Sequence, residues 1–188
     1  MTTTTNHTRP TQTPADLTGD PDEARHLERT LRAIRRRHFA VLSTVSDAGF
    51  PHAAGVAYDT VGTTLYVNTH RTSRKALNVA SNPRAAMVVP VRKLPVGPPF
   101  NVQFQARAAL LAMDDPEILE HLEAGRLSKI IGHGELDEPD GCFLRLRPTG
   151  RLHTYGLGVS ALAVARDPLH VGPRSAALPT DTLSTDAP

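Results

Sequence analysis

The hydrophobic pattern of the chain opens helical and then turns to strands. Leu27, Leu31 and Ile34 recur at helical spacing and define a narrow apolar stripe. Asp20 can cap this helix and Pro21 suits its first position. Asp22 and Glu23 sit where the helix dipole favours anions, and Arg35, Arg36 and Arg37 crowd the last turn, where it favours cations. From Phe39 onward short apolar runs alternate with turn signals. Strands are expected over Phe39–Val45, Pro51–Tyr58 and Thr63–Asn68, separated by the turns Ser46–Gly49 and Asp59–Gly62. A short helix fits Ser73–Ser81 and stops at Asn82-Pro83.

The second half continues in strands. Ala85–Val91 is an unbroken apolar run, as expected of a strand buried on both faces. Lys93–Pro99 reads as a Pro/Gly loop. Asn101–Leu110 alternates cleanly: Val102, Phe104, Ala106, Ala108 and Leu110 on one face, Asn101, Gln103, Gln105 and Arg107 on the other. A helix capped by Asp114 or Asp115 follows, with Ile118, Leu119 and Leu122. Cys142–Arg147 and Arg151–Tyr155 read as a final strand pair around Pro148-Thr149-Gly150. The expected fold class is mainly β: a six- to seven-stranded, closed or nearly closed barrel with peripheral helices. Residues 1–20 and 173–188 are poor in large apolar residues and are expected as disordered tails around one domain, 21–172.

Composition narrows the function classes. Apolar residues make up 39% of the 188, which fits a globular domain able to bury a core. No apolar run reaches the ~20 residues that span a bilayer, and the N-terminus lacks a secretory h-region, so the expected location is cytoplasmic with no membrane partner. Cys142 is the single cysteine and is expected as a small core residue. A net charge of +2 carries no polyanion-binding signature, and no aromatic stacking platform accompanies the arginines of 25–37, so no nucleic-acid partner is expected. The nine histidines, His70 and His133 among them, form no metal-ligand spacing, so no metal is assigned.

Chemistry concentrates in Leu65–Lys75, where a strand ends at Asn68 and a helix begins near Ser73. Such a junction leaves free N–H groups at the positive end of a helix. Thr72 or Ser73 can cap the helix or donate a hydroxyl to an anion. Arg71, Arg74 and Lys75 add charge-assisted donors. Cations in a first turn oppose the dipole by ~0.3–1 kcal/mol each. On the residues alone two readings stand: a capped helix with a solvated basic first turn, or a phosphate cradle.

Three linked pieces carry a resemblance: Tyr66-x-Asn68, then Ser73-Arg74-Lys75-Ala76, then Asn82-Pro83-Arg84, with Asp47-x-Gly49-x-Pro51 upstream. Together they resemble the flavin-phosphate segment of the pyridoxamine 5′-phosphate oxidase-like, flavin mononucleotide (FMN)-binding split barrels, over about residues 38–111 and more loosely to Tyr155. The resemblance implies an FMN-dependent oxidoreductase acting on a small molecule, as a homodimer with its cofactor at the interface. It implies that Arg74 and Lys75 bind the FMN phosphate, with Asn68, Thr72 and Ser73 in the same segment, and that Tyr66 and Val67 lie along the flavin through their backbone. Asn101 matches a family glutamine that reaches the flavin ring; read from its strand alone, it is a polar residue on a solvent face. Arg151-Leu152-His153 looks like the family's substrate-contacting Arg-x-His pair.

The departures are equally specific. The arginine and lysine expected in the second strand are absent from Ala53–Tyr58, and the chain has no tryptophan for the family's C-terminal dimerisation segment. Two alternatives therefore stay open beside FMN: coenzyme F420 in the same fold, and non-catalytic binding of a flavin, haem or pyridoxal phosphate. The substrate is not legible.

Overall fold

The structure, a computed structural model, describes residues 20–91, 100–132 and 138–179. The loop expected at 93–99, His133 and most of both expected tails lie outside them. The element order is α1 (Pro21–Arg35), β1 (Phe39–Val45), β2 (Pro51–Ala57), β3 (Asp59–Val61), β4 (Thr64–His70), α2 (Arg74–Ser81), β5 (Arg84–Val91), β6 (Phe100–Ala112), α3 (Pro116–Glu123), β7 (Gly141–Tyr155), α4 (Ala161–Arg166) and β8 (Pro173–Ala177). The strands form one antiparallel sheet in the order β2-β1-β5-β6-β7-β4-β3, with β8 added against β7. The fold is the mainly β split barrel expected from the sequence.

The sheet curls around one core. Leu42, Leu65, Val67, Met87, Val89, Val102, Phe104, Leu144, Leu146 and Leu152 are all buried in it. The alternation of β6 sets the inner face as expected, with Val102, Phe104, Ala106 and Ala108 inside. Strand β5 differs from expectation. Ala85, Met87, Val89 and Val91 are buried, but Ala86 and Val88 are only half-buried on the outer face. Among the described residues, none fully covers its apolar outer face.

Three other segments also depart from the sequence reading. Asp59–Val61, expected as a turn, pairs with Thr64–Tyr66 as β3, because buried Asp59 bonds Lys129 and so holds the segment to the sheet. The expected strand pair around Pro148–Gly150 is one 15-residue strand, β7. Pro148-Thr149-Gly150 does not turn the chain; the ladder with β6 shifts register between Gln103 and Gln105, and Gly150 takes φ +69° there. Residues 173–177, expected in the C-terminal tail, form β8 against Arg151–Tyr155. Burial of Ala176 and the acceptance of the Ala177 N–H by Glu23 hold it in place, and neither partner is local in sequence.

Helix α1 packs across β7 and β8. Its cap is the expected Asp20, accepting the Asp22 N–H. Its buried line, however, is His26, Thr30 and Ile34, with Leu27 and Leu31 half-buried beside it. Two polar residues can be buried because each is bonded: Thr30 Oγ1 donates to the His26 carbonyl, and His26 Nε2 lies 3.0 Å from Thr154 Oγ1. Tyr58 donates to the Ile34 carbonyl at 2.7 Å and ties the helix end to the barrel.

Helix α3 covers the outer face of β4 and β7. Tyr66, Ile118, Leu127, Ile130 and Phe143 form a second apolar cluster beneath it. The Tyr66 hydroxyl bonds Glu117 and lies 3.1 Å from His121 Nε2, and Arg145 reaches Glu117 at 2.6 Å. Burial raises the Glu117 carboxyl, but the bonds from Tyr66 and Arg145 outweigh it and hold the group below its ordinary range. Burial, reinforced by Glu117, pushes the Tyr66 phenol up.

Two stability outcomes follow. Tyr66→Phe should cost about 1.5 kcal/mol, because it strips a half-buried charged acceptor of a donor; denaturant unfolding measures this. His26 should make stability acid-sensitive. Burial, then Arg174 and Arg29, hold its imidazole below the usual histidine range, while Glu23 opposes them. Its Nδ1 is buried without a partner. The unfolded chain therefore takes up the proton more readily, so the contribution is complete above about pH 6.5 and is lost as pH falls below it. The melting temperature should drop on acidification through this range, with a shallower slope in His26→Gln.

Candidate functional site

The junction between β4 and α2 assembles from short-range rules. Leu65, Val67 and Thr69 point into the barrel, while Tyr66, Asn68 and His70 point outward. The Arg71 N–H donates to the Asp140 carbonyl at 2.8 Å, and the Ser73 N–H to the His70 carbonyl at 3.0 Å, so the connecting loop is fixed from both sides. Ser73 is the N-cap: its hydroxyl accepts the Ala76 N–H at 3.3 Å and a bond from Thr69 Oγ1 at 3.2 Å. The first-turn N–H groups of Arg74 and Lys75 then point out of the helix end.

Among the described residues, nothing compensates the charge at this junction. The first turn of α2 carries no acid. Among the described residues, Arg71, Arg74 and Lys75 have no ion pair. Buried Cys142, opposite Thr69 in the β4–β7 register, feels Arg71 and Lys75, although burial is the larger influence and raises its thiol. A site of this kind suits an oxyanion, such as a phosphate, held by backbone N–H groups, hydroxyls and cations together.

The residues expected from the sequence divide into two groups. Asn68, Thr72, Ser73, Arg74 and Lys75 come together at the junction. The Tyr66 ring is committed to α3, and its backbone lies between β3 and β7, opposite Asp59 and Arg145. Beyond Tyr66, among the described residues, only β7 pairs with β4, so residues 67–70 leave one backbone edge open beside the helix end. Asn68 has only a weak 3.9 Å contact from its amide to Met113 Sδ.

Asn101, Arg151 and His153 lie elsewhere. Asn101 sits opposite Tyr155, Gln103 opposite His153, and the Gln103 amide donates to Asn101 Oδ1 at 2.9 Å. Asn68 sits opposite Phe143. The path along β7 from Phe143 to Tyr155 is roughly 40 Å of extended chain. One chain therefore presents the two groups at opposite ends of its longest strand. Arg151 is held by Glu23 at 2.8 Å and by Ser175 Oγ at 3.2 Å, which ties α1 and β8 to β7.

The sequence reading missed an open trough on the outer face of β1, β5, β6 and β7. It is lined among others by Arg84, Gln103, Gln105, Arg107, Thr149 and His153. The alternation of β6 already puts Gln103, Gln105 and Arg107 on one face; only the register of β5 and β7 brings Arg84 and Thr149 beside them.

The fold matches those of known structures. The solved HutZ haem storage protein of Vibrio cholerae superimposes with a TM-score of 0.60 at 22% identity, covering 70% of this chain and 96% of its own. A haem-binding protein from Mycobacterium smegmatis gives 0.62 at 18% identity, covering 85% of this chain and 60% of its own. An FAD-binding protein from Mesorhizobium loti gives 0.51 at 20% identity, covering 65% and 86%. At these identities the likeness extends to the fold. No curated protein matches the chain. The sequence pattern described as pyridoxamine 5′-phosphate oxidase, however, matches residues 27–154, from the first helix through β7. By the extent of that match the chain belongs to the pyridoxamine 5′-phosphate oxidase family.

Proposed function

We propose that this protein is an FMN-dependent oxidoreductase that holds the FMN phosphate at the β4–α2 junction. The observation that carries the proposal is the cation set of Arg71, Arg74 and Lys75 around the Ser73-capped helix end, without an ion pair among the described residues. The Ser73 and Thr72 hydroxyls and the first-turn N–H groups supply neutral donors, and the guanidinium of Arg74 and ammonium of Lys75 supply charge. The open backbone edge at 67–70 suits the polar rim of a flat ring system. A bound flavin would supply the redox chemistry; the chain's task is to bind, orient and exclude water.

The proposed active form is a homodimer with the cofactor between protomers. Two features support it. Asn101 and His153 lie at the far end of β7 from the junction, and a second copy would bring both groups to one ligand. Among the described residues the outer face of β1, β2 and β5 is also apolar and only partly covered: Phe39 is 50% exposed and lies over Gly55, where an added Cβ would sit 3.0 Å from the ring. Ala53 and Ala57 are exposed beside it, and Val41 and Val88 half-buried. In this arrangement Asn101 faces the flavin ring and His153 a small-molecule substrate. Arg151, spoken for by Glu23, takes a supporting part in that contact.

A second reading, non-catalytic binding of a flavin or haem, is favoured by β2. Its residues Pro51–Ala57 contain no arginine or lysine, so it offers no charged group to a substrate. Coenzyme F420 also carries a phosphate and is the alternative cofactor of the same site. Among the described residues no helix is long and apolar enough to cross a membrane.

Purified protein should be yellow, or become so on adding FMN, and should elute as a dimer in light-scattering chromatography. Arg74→Ala and Lys75→Ala should each weaken FMN binding by roughly tenfold or more, read by absorbance or fluorescence titration. Protein that takes up no FMN, or variants that bind as tightly as the parent, would overturn the assignment. Competition between FMN and F420, followed at their separate absorbance bands, decides the cofactor. Bound flavin that no reductant can turn over would favour the non-catalytic reading. Ser73→Ala should also cost about 1 kcal/mol of stability through loss of the cap.

A further inference from the structure

Two cavities of about 650 Å³ each open on the outer face of the sheet. They share Ala86, Gln105 and Thr149 and so form one continuous trough. Val45, Ala86 and Val88 give it an apolar stretch, and an arginine stands at each end: Arg151 at one, Arg84 with Arg107 at the other.

The two ends differ in charge balance. Arg151 is paired with Glu23. Arg84 and Arg107 are exposed and lie directly opposite each other in the β5–β6 register. Side chains in such a pair start about 5 Å apart at Cβ, and like charges there repel. Among the described residues neither has an ion pair. Arg147 stands opposite Arg107 on β7, within the field of Glu117. The base of Arg84 is fixed, because its N–H donates to Asn82 Oδ1 at 3.0 Å. The fold thus holds Arg84 and Arg107 side by side at the mouth of a cavity, and among the described residues no carboxylate is paired with either.

We propose that the Arg84–Arg107 end of the trough binds the oxyanion, carboxylate or phosphate, of a small organic ligand whose apolar body lies over Val45 and Ala86. An oxyanion between the two guanidinium groups accepts charge-assisted bonds from both and cancels their repulsion. Neither Arg74 nor Lys75 lines the trough, so this subsite does not depend on which cofactor the β4–α2 junction holds.

The test uses the full chain carrying Arg74→Gln and Lys75→Gln, which silences the junction. Inorganic phosphate and benzoate are titrated separately by calorimetry, and the double substitution Arg84→Gln/Arg107→Gln is then added. At least one probe should bind, and the added substitutions should weaken it by roughly tenfold or more. Binding of benzoate alone identifies a carboxylate on an apolar body; binding of phosphate alone identifies a phosphorylated ligand. Without any anion, Arg107→Gln should raise the melting temperature, and saturating anion should abolish that advantage. No binding of either probe, or affinity unchanged by the substitutions, overturns the proposal. A shift in oligomeric state with anion affinity intact overturns it too, and assigns the arginines to a protein contact.

Discussion

Strand β7 is the constraint on which the rest of the molecule depends. One of its edges pairs with β6 from Cys142 to Tyr155. The other edge is divided: β4 takes Gly141–Leu146, and β8 takes Arg151–Tyr155. A strand bonded along both edges cannot slip without turning every inward side chain outward. Leu144, Leu146 and Leu152 are buried to the core, so the register is firmly specified. The shift between Gln103 and Gln105 lets a single strand serve both halves, because the bulge bends β7 around the barrel where a flat strand would leave it.

The functional geometry follows from that register. At one end of β7, β4 delivers its last residues to the start of α2, and the Ser73 cap aims the helix end with its cations. At the other end, β6 carries Asn101 and Gln103 to His153. The two groups sit at opposite ends of β7, and the proposed dimer would bring them to one ligand. The apolar outer face around Phe39, Val41 and Val88 gives such a copy something to cover, and charged residues are absent from the stretch of β1 and β2 that would meet it.

Buried polar groups mark where the fold is held by specific bonds as well as by apolar packing. Tyr66, Glu117, His121 and Arg145 clamp α3 to the sheet, and His26 with Thr154 clamps α1. Each network links elements far apart in sequence: Glu117 lies on a helix after β6, and Thr154 near the end of β7. The orphan Nδ1 of His26 and the charges of Arg29 and Arg174 around it make the α1 contact the more acid-sensitive of the two.

Much of this was legible in the residues. Period-two alternation fixed the inner face of β6, since a residue that points inward must be apolar. The Asp20 cap was readable, and the caps of α2 and α3 were readable to within one residue, Thr72 or Ser73 and Asp114 or Asp115, because capping is a bond between near neighbours. The β4–α2 junction was legible for the same reason: strand end, cap and cations are consecutive. What the sequence could not decide was anything set by pairing between distant segments. β8 looked like tail because its partners, β7 and Glu23, are remote. Pro148-Thr149-Gly150 looked like a turn because local chemistry cannot tell a hairpin from a bulge inside a longer ladder. Tyr66 could not be assigned to α3 from its own strand. The opposition of Arg84 to Arg107 exists only through the β5–β6 register. Local hydrogen bonds and periodicity are written along the chain, whereas register and face-sharing arise only when the sheet closes.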